Sequence, residues 1–243
     1  MAKDQDVKLR LMKECIQELR SSTEKYGDIT LGRFLIARSM DPNKAAKMFV
    51  SWQKWRDSFV PLGFIPASEV DDELKTRKVF LQGLCKTGHP IAILSLSKHY
   101  PAKDQQQFKK FIVHVLDKII ASGIRGREIG NEKMVAIIDM KQLSYKNVDA
   151  RGLISGFQFL QAYYPERLER LYVLNMPSFF VSVWKMISYF LEKATLDKIV
   201  IVTNEEQRKR FVMEIGTEAL PEEFGGEAKL VAIQDVEAPR LEC

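Results

Sequence analysis

Three histidines (His89, His99, His114) and three cysteines (Cys15, Cys85, Cys243) are the residues of this 243-residue chain whose types suit metal binding or nucleophilic chemistry. Their spacing supports neither. No CxxC pair occurs, the cysteines are odd in number and far apart, and no interval matches a zinc site or a disulfide framework. The histidines therefore read as surface or packing residues. Gly123, Gly126 and Gly130 lack GxGxxG spacing and follow a helical pattern rather than a strand, so a dinucleotide site gains no support. No phosphate-binding GxxxxGKS/T loop is present. Gly152 and Gly156 frame Leu-Ile-Ser, which misses the GxSxG elbow by one position. With no base and acid set beside a Ser or Cys, the protein is expected not to be an enzyme and to need no cofactor or metal.

The remaining chemistry is apolar. Residues 178–191, SFFVSVWKMISYFL, hold ten apolar or aromatic residues in 14, with Lys185 as the one charge. A helix apolar nearly all round must be covered on most sides, and this one is too short to span a bilayer. It reads either as a central core helix or as a lid, one face closing an apolar cavity and the other meeting a membrane.

Lys and Arg exceed Asp and Glu by 37 to 32, a net charge of +5 spread along the chain. Such mild basicity suits an anionic membrane surface, whereas the missing basic patch argues against nucleic acid. The N-terminus, MAKDQDVKLRLMKEC, is too charged for a secretory signal, and no apolar run approaches the roughly 20 residues of a membrane span. The expectation is a cytoplasmic protein that touches membranes transiently and peripherally.

Two patterns divide the chain. The first 60 or so residues are helical: Val7, Leu11, Cys15 and Leu19 recur at helical spacing, Thr30 is placed to cap LGRFLIAR, and Asp41-Pro42 opens a helix with Ala45, Met48, Phe49, Trp52, Trp55 and Phe59 on one broad face. From about residue 75 short apolar runs alternate with helical ones. Strands are expected at 91–96, 134–138, 171–174 and 199–202, with a fifth at 230–233, and helices at 108–120 and 148–163. This is an α/β layer with a largely parallel or mixed sheet.

Four blocks in order carry a resemblance: LGRFLIARSMDPNKAAKMFVSWQKWR, MVAIIDMKQLS, YYPERL with the segment after it to IVIV, and LPEEFGG. Together they resemble the CRAL-TRIO family, and in particular its yeast-type phosphatidylinositol transfer branch. The resemblance implies an α/β fold in which a helical N-terminal domain (1–74) packs on a mixed-sheet lipid-binding lobe (75–243) whose apolar pocket is closed by a gate helix. Met134 and Ala136 would face the pocket, and Phe179, Phe180, Val183, Trp184, Ile187 and Phe190 would form the pocket wall or gate.

By the same resemblance Arg38 and Lys198 would neutralise the lipid phosphate, Thr195 would donate to it or to inositol, and Glu166 would accept from inositol hydroxyls. Read singly, Arg38 is a helix-end charge, Thr195 a cap, Lys198 a solvated side chain and Glu166 a partner for Arg170. Arg167, which also matches, fits a structural role as well. Two positions depart from the family: Ser39 replaces a second basic residue, and Met134 and Ala136 replace the hydroxyl side chains of phosphatidylcholine-transferring members. The implied function is non-enzymatic transfer of phosphatidylinositol between membranes, or its presentation to a lipid kinase, by a monomer. The alternatives are a carrier of a sterol, tocopherol or retinoid, and a regulatory scaffold with a degenerate pocket.

Overall fold

The computed structural model describes residues 2–124 and 132–238; Gly126, Gly130 and Cys243 lie outside the described residues. Helices α1 (Ala2–Glu18), α2 (Asp28–Ala37) and α3 (Pro42–Phe59) come first. Met12 and Ile16 of α1, Leu31, Phe34 and Leu35 of α2, and Phe49 and Trp52 of α3 share one core. Asp41 caps α3 by accepting from Lys44 N at 3.0 Å, with Pro42 in the first turn, as its sequence suggests. Thr30 is no cap. Helix α2 starts two residues earlier behind Gly27, which makes no side-chain cap bond, and Thr30 falls inside its first turn.

Val60, Ile65, Val70 and Leu74, the last on the short α4 (Asp71–Lys75), already belong to the core of the α/β part. Five strands follow: β1 (Val79–Leu84), β2 (Pro90–Ser95), β3 (Met134–Asp139), β4 (Leu168–Leu174) and β5 (Ile199–Ile201). They form one sheet in the order β1-β2-β3-β4-β5, with β1 antiparallel to β2 and the rest parallel. Helix α5 (Gln105–Ser122) joins β2 to β3, and α6 (Ala150–Tyr163) joins β3 to β4. Helices α7 (Phe180–Ser188) and α8 (Lys193–Leu196) lie between β4 and β5, and α9 (Glu205–Ile215) follows β5.

One expected strand is corrected. Residues 230–233 form no strand; they approach β1 through a single bridge between Ala232 and Phe80 and a bond from Leu81 N to Val231 O. The fifth strand is β1 instead. Its run VFLQGL carries Gln82 and Gly83, and its pairing with β2 shifts register between Gln82 and Leu84, which breaks the alternation that marks a strand.

Alternation sorts the central strands onto two cores. Ile91, Ile93, Val135, Ile137, Tyr172 and Leu174 pack on one face with Phe211 and Ile215 of α9. Ala92, Met134, Ile138, Leu171 and Val173 face the other side, with α5, α6 and α7. Burial on both faces explains why these strands read as unbroken apolar runs.

The LPEEFGG loop closes on the first of these cores through Leu220 and Phe224. Gly225 sits at φ +97°, and a Cβ on Gly226 would fall 1.8 Å from Leu220 O, so both positions require glycine.

The N-terminal helices are fixed to the lobe by a buried polar joint. Arg56 of α3 makes a two-point contact with Asp117 of α5 (3.1 and 2.7 Å), and Asp117 also accepts from Tyr164 Oη at 2.7 Å. Beside it Trp55 stacks on Tyr163 with ring centroids 3.7 Å apart. Removing one partner of a buried pair leaves the other charge uncompensated. Asp117→Ala should therefore cost about 3–5 kcal/mol, read as a lowered urea midpoint.

Candidate functional site

A cavity of about 200 Å³ lies between the sheet, α5 and α6. It exists because small residues meet there. Ala92 pairs with Ala136 across β2 and β3, and Ala136 with Leu171 across β3 and β4. Gly152 and Gly156, one helical turn apart on α6, stand over this floor, while Phe108 and Phe111 of α5 line the wall. Met134 and Ala136 line the cavity. Neither can hydrogen-bond a polar headgroup through its side chain.

The six residues of the 179–190 segment do not line it. They belong to α7 and its flanks, which back the wall from outside α6. Phe180 and Ile187 are fully buried, and Trp184 sits 6.4 Å (ring centroids) from Phe157, which lines the cavity. Phe179 packs against Tyr145 with tilted rings 4.4 Å apart (centroids), and Val183 packs on the same core. Phe190 turns outward, and with Val181, Met186 and Tyr189 it makes an exposed apolar face.

Of the four headgroup candidates, the structure joins two. Lys198 Nζ donates to Glu166 Oε2 at 3.1 Å, so Glu166 pairs across the sheet edge rather than with Arg170. Glu166 is third in a turn closed by Arg167 N to Tyr164 O, and it holds φ +55°, a left-handed backbone unusual for a side chain of this size. Pro165 before it and the buried Arg167–Glu132 pair (2.8 Å) after it hold that turn. Arg167 is thereby structural.

Lys198 O accepts from Leu171 N at 2.9 Å, which sets the Lys198 backbone, at the amino end of β5, beside a cavity-lining residue midway along β4. Thr195, on α8, is buried three residues earlier. Arg38 caps the end of α2 and donates to Ala37 O at 3.0 Å; no hydrogen bond or ion pair joins it to the other three. None of the four lines the cavity.

Two polar side chains that do line the cavity were not anticipated: Lys78 and His99. Lys78 Nζ donates to Glu73 and to His99 Nδ1 at 3.0 Å, and His99 Nε2 meets Asp149 Oδ2 at 3.0 Å. Asp149 caps α6 by accepting from Gly152 N at 2.7 Å. All four side chains are buried. Burial pushes the Lys78 ammonium down from its usual range, against the pull of Glu73. The hydrogen bond from His99 foremost holds the Asp149 carboxyl below its usual range, with backbone N–H groups assisting against desolvation. A Cβ on Gly152 would fall 2.4 Å from Asp149 Oδ2, so glycine there keeps the chain of bonds intact. The sequence signal was faint: one lysine at the mouth of an apolar run and a histidine just past another.

The depressed Asp149 carboxyl has a pH consequence. Its stabilisation is fully present above the ordinary aspartate pKa of about 3.9 and is lost as pH falls through the lower folded value. Asp149→Asn should cost about 1–3 kcal/mol at pH 7. It should also flatten the acid limb of a stability profile measured by urea unfolding between pH 7 and 3.

Comparisons with known proteins place this geometry. The CRAL/TRIO domain model matches residues 74–226, more than half of the chain. A CRAL-TRIO domain-containing protein of Saccharomyces cerevisiae is 27% identical over 95% of this chain and 80% of its own length. The SEC14 cytosolic factor of Kluyveromyces lactis is 27% identical, over 93% of this chain and 79% of its own. A phosphatidylinositol/phosphatidylcholine transfer protein of Arabidopsis thaliana is 30% identical over 80% of this chain, which spans 34% of that larger protein. In fold, the crystal structure of Sfh5 superposes with a TM-score of 0.62 at 17% identity, covering 92% of this chain and 93% of that one. The chain belongs to the CRAL/TRIO domain family, among relatives of the yeast-type SEC14 cytosolic factors.

Proposed function

We propose that the protein is a non-enzymatic carrier that takes up phosphatidylinositol, holds its acyl chains in the apolar cavity and exchanges it at membranes. The observation that carries this reading is the apolar cavity with the Lys198–Glu166 pair beside its edge. Acyl chains need burial, at about 0.8 kcal/mol per methylene, and an inositol phosphate needs a cation with acceptors for its hydroxyls at the rim. The relatives add support, since the Arabidopsis protein is named for transfer of phosphatidylinositol and phosphatidylcholine.

In this reading Lys198 meets the phosphate, Glu166 the inositol hydroxyls, and Thr195 a phosphate or inositol oxygen, with Arg38 closing the site from the 1–74 helical domain over the 75–243 lobe. The strained backbone at Glu166 is what a positioned carboxylate would need. Phosphatidylcholine is a poor ligand by the same logic, because Met134 and Ala136 offer its phosphate no hydroxyl.

The cavity is smaller than the 300–1,000 Å³ usual for ligand sites, so uptake needs an opening. Helix α7 is the element to move. It backs the cavity wall, and its outer Val181, Met186, Tyr189 and Phe190 suit insertion into a membrane surface. Lipid released at one membrane is then offered to another, or to a lipid kinase.

The decisive experiment is mass spectrometry of lipids extracted from the protein after incubation with mixed natural membranes. Enriched phosphatidylinositol, reduced at least tenfold by Lys198→Ala, is expected; an empty pocket, or phosphatidylcholine as the main lipid, sinks the reading. A second variant separates exchange from binding. Tyr189→Ser with Phe190→Ser should slow transfer between vesicles severalfold while leaving the lipid content of the equilibrated protein unchanged.

A further inference from the structure

A further cavity, of about 330 Å³, borders the carboxyl ends of β3 and β4 on the side of the sheet away from the apolar one. Its size falls at the compact end of the range of small-ligand sites. Its wall joins the exits of two strands to α9 and the LPEEFGG loop. Asp139 comes from the end of β3 with Lys141 just after it, Asn175 follows β4, Arg208 belongs to α9, and Glu223 to the loop. Alternation along β3 turns Asp139 to the face of Val135 and Ile137, which pack with α9.

Asp139 is 7% exposed, yet its charge is unmatched. Oδ1 accepts from Lys141 N at 3.0 Å and from Asn175 Nδ2 at 2.7 Å. Among the described residues no donor reaches Oδ2, and no Lys, Arg or His forms an ion pair with the carboxylate. A buried charge is ordinarily paired or bound to a metal. Among the described residues no group of three or more His, Cys, Asp and Glu could hold a metal ion, so the matching partner is an organic cation. Arg208 is unmatched in the opposite sense. Its half-buried guanidinium makes one long contact, Nη2 to Glu223 O at 3.5 Å, and no ion pair. One cavity thus holds a buried carboxylate and a guanidinium that do not neutralise each other. The backbone is left-handed on both strand exits, at Gln142 (φ +62°) and Asn175 (φ +56°), which is strain of the kind that gathers at binding sites.

We propose that this cavity binds the ammonium–carboxylate pair of an α-amino acid, with the ammonium on Asp139 Oδ2 and the carboxylate on Arg208. Charge selects the class. Among the lining residues Asp139 and Glu223 offset Lys141 and Arg208, so a ligand of either net charge gains nothing overall. A zwitterion is stabilised at both ends. The ammonium supplies the donors that Oδ2 lacks, and the guanidinium fork matches a carboxylate with two parallel bonds. The same pair occurs in free amino acids and in the serine headgroup of a phospholipid, and the site selects the pair itself. The proposal stands apart from the lipid reading, because the sheet separates this cavity from the apolar one.

The test titrates the purified full chain by calorimetry with L-serine, L-glutamine, N-acetyl-L-serine and L-serinamide, and by co-sedimentation with phosphatidylserine vesicles. L-serine or L-glutamine should bind with a Kd below about 1 mM, whereas N-acetyl-L-serine and L-serinamide, each lacking one of the two charges, should bind at least about tenfold more weakly than L-serine. Asp139→Asn keeps the two bonds to Oδ1 and replaces the Oδ2 acceptor by a donor. It should weaken the zwitterion about 10- to 100-fold, the range of a hydrogen bond to a charged group, as should Arg208→Gln. Vesicle binding that Asp139→Asn abolishes, without binding of the free amino acids, supports the pair in its lipid-borne form. Failure of the amino acids and the vesicles alike, equal binding of the acetylated or amidated serine, or binding indifferent to both substitutions would each overturn the proposal. The analogue series on the wild-type chain keeps the test decisive even if a variant does not fold.

Discussion

A close-packed interior resists a void, and this fold maintains one of about 200 Å³. The apolar atoms that line such a space lose packing contacts on one side, which costs stability. Everything around it can be understood as what lets the chain tolerate that cost. The sheet is buried on both faces, so the core of Phe211, Tyr172 and Ile137 behind it stabilises the strands independently of the cavity. The alanines that open the void sit on β2 and β3, whose other faces are packed in that same core behind the sheet. An apolar chain in that space reverses the sign, because each methylene removed from water contributes about 0.8 kcal/mol. The empty form is therefore the less stable one.

The polar groups around the void differ in kind. The Arg56–Asp117–Tyr164 joint and the Arg167–Glu132 pair connect elements and have no access to the cavity. Glu73, Lys78, His99 and Asp149 are also buried, yet the two middle members of that chain, Lys78 and His99, line an apolar space. Buried ion pairs are weak contributors to stability, since apolar residues of like size generally do as well. A desolvated lysine facing a cavity is thus poorly explained by folding alone.

How much of this the sequence discloses depends on the range of the interaction. Helix α3 with its Asp41-Pro42 start and strands β2 to β5 were legible because local spacing and continuous apolar runs encode them. Strand β1 was not, because Gln82 and Gly83 interrupt its run and its partner lies across a hairpin. The Glu166–Lys198 contact joins residues 32 apart in sequence, and motif resemblance pointed to both without showing that they touch. The Lys78–His99–Asp149 chain spans 21 and 50 residues, and its members sit in no motif. His99 looked like packing because nothing in its neighbourhood along the chain marks the lysine and aspartate that flank it in space.

Helix α7 shows why a strongly apolar segment need not be a core helix. Phe180, Val183, Trp184 and Ile187 repeat at three- and four-residue spacing and turn inward, which would complete an ordinary amphipathic helix if the other face were polar. It is only partly so: Ser182 and Lys185 are exposed, but Val181 and Met186, with Tyr189 and Phe190 just after the helix, also stay in water. Such a helix pays hydration cost in the closed state that an apolar surrounding would remove. A membrane interface lowers the free energy of the outward face without touching the inward one, so it favours any state in which α7 has left the lobe, and it can shift the equilibrium only by that difference. In water the inner contacts of Phe180 and Ile187 hold the helix down; at a membrane the balance narrows. Under the proposed function, opening coupled to the membrane in this way would confine lipid exchange to the membrane surface.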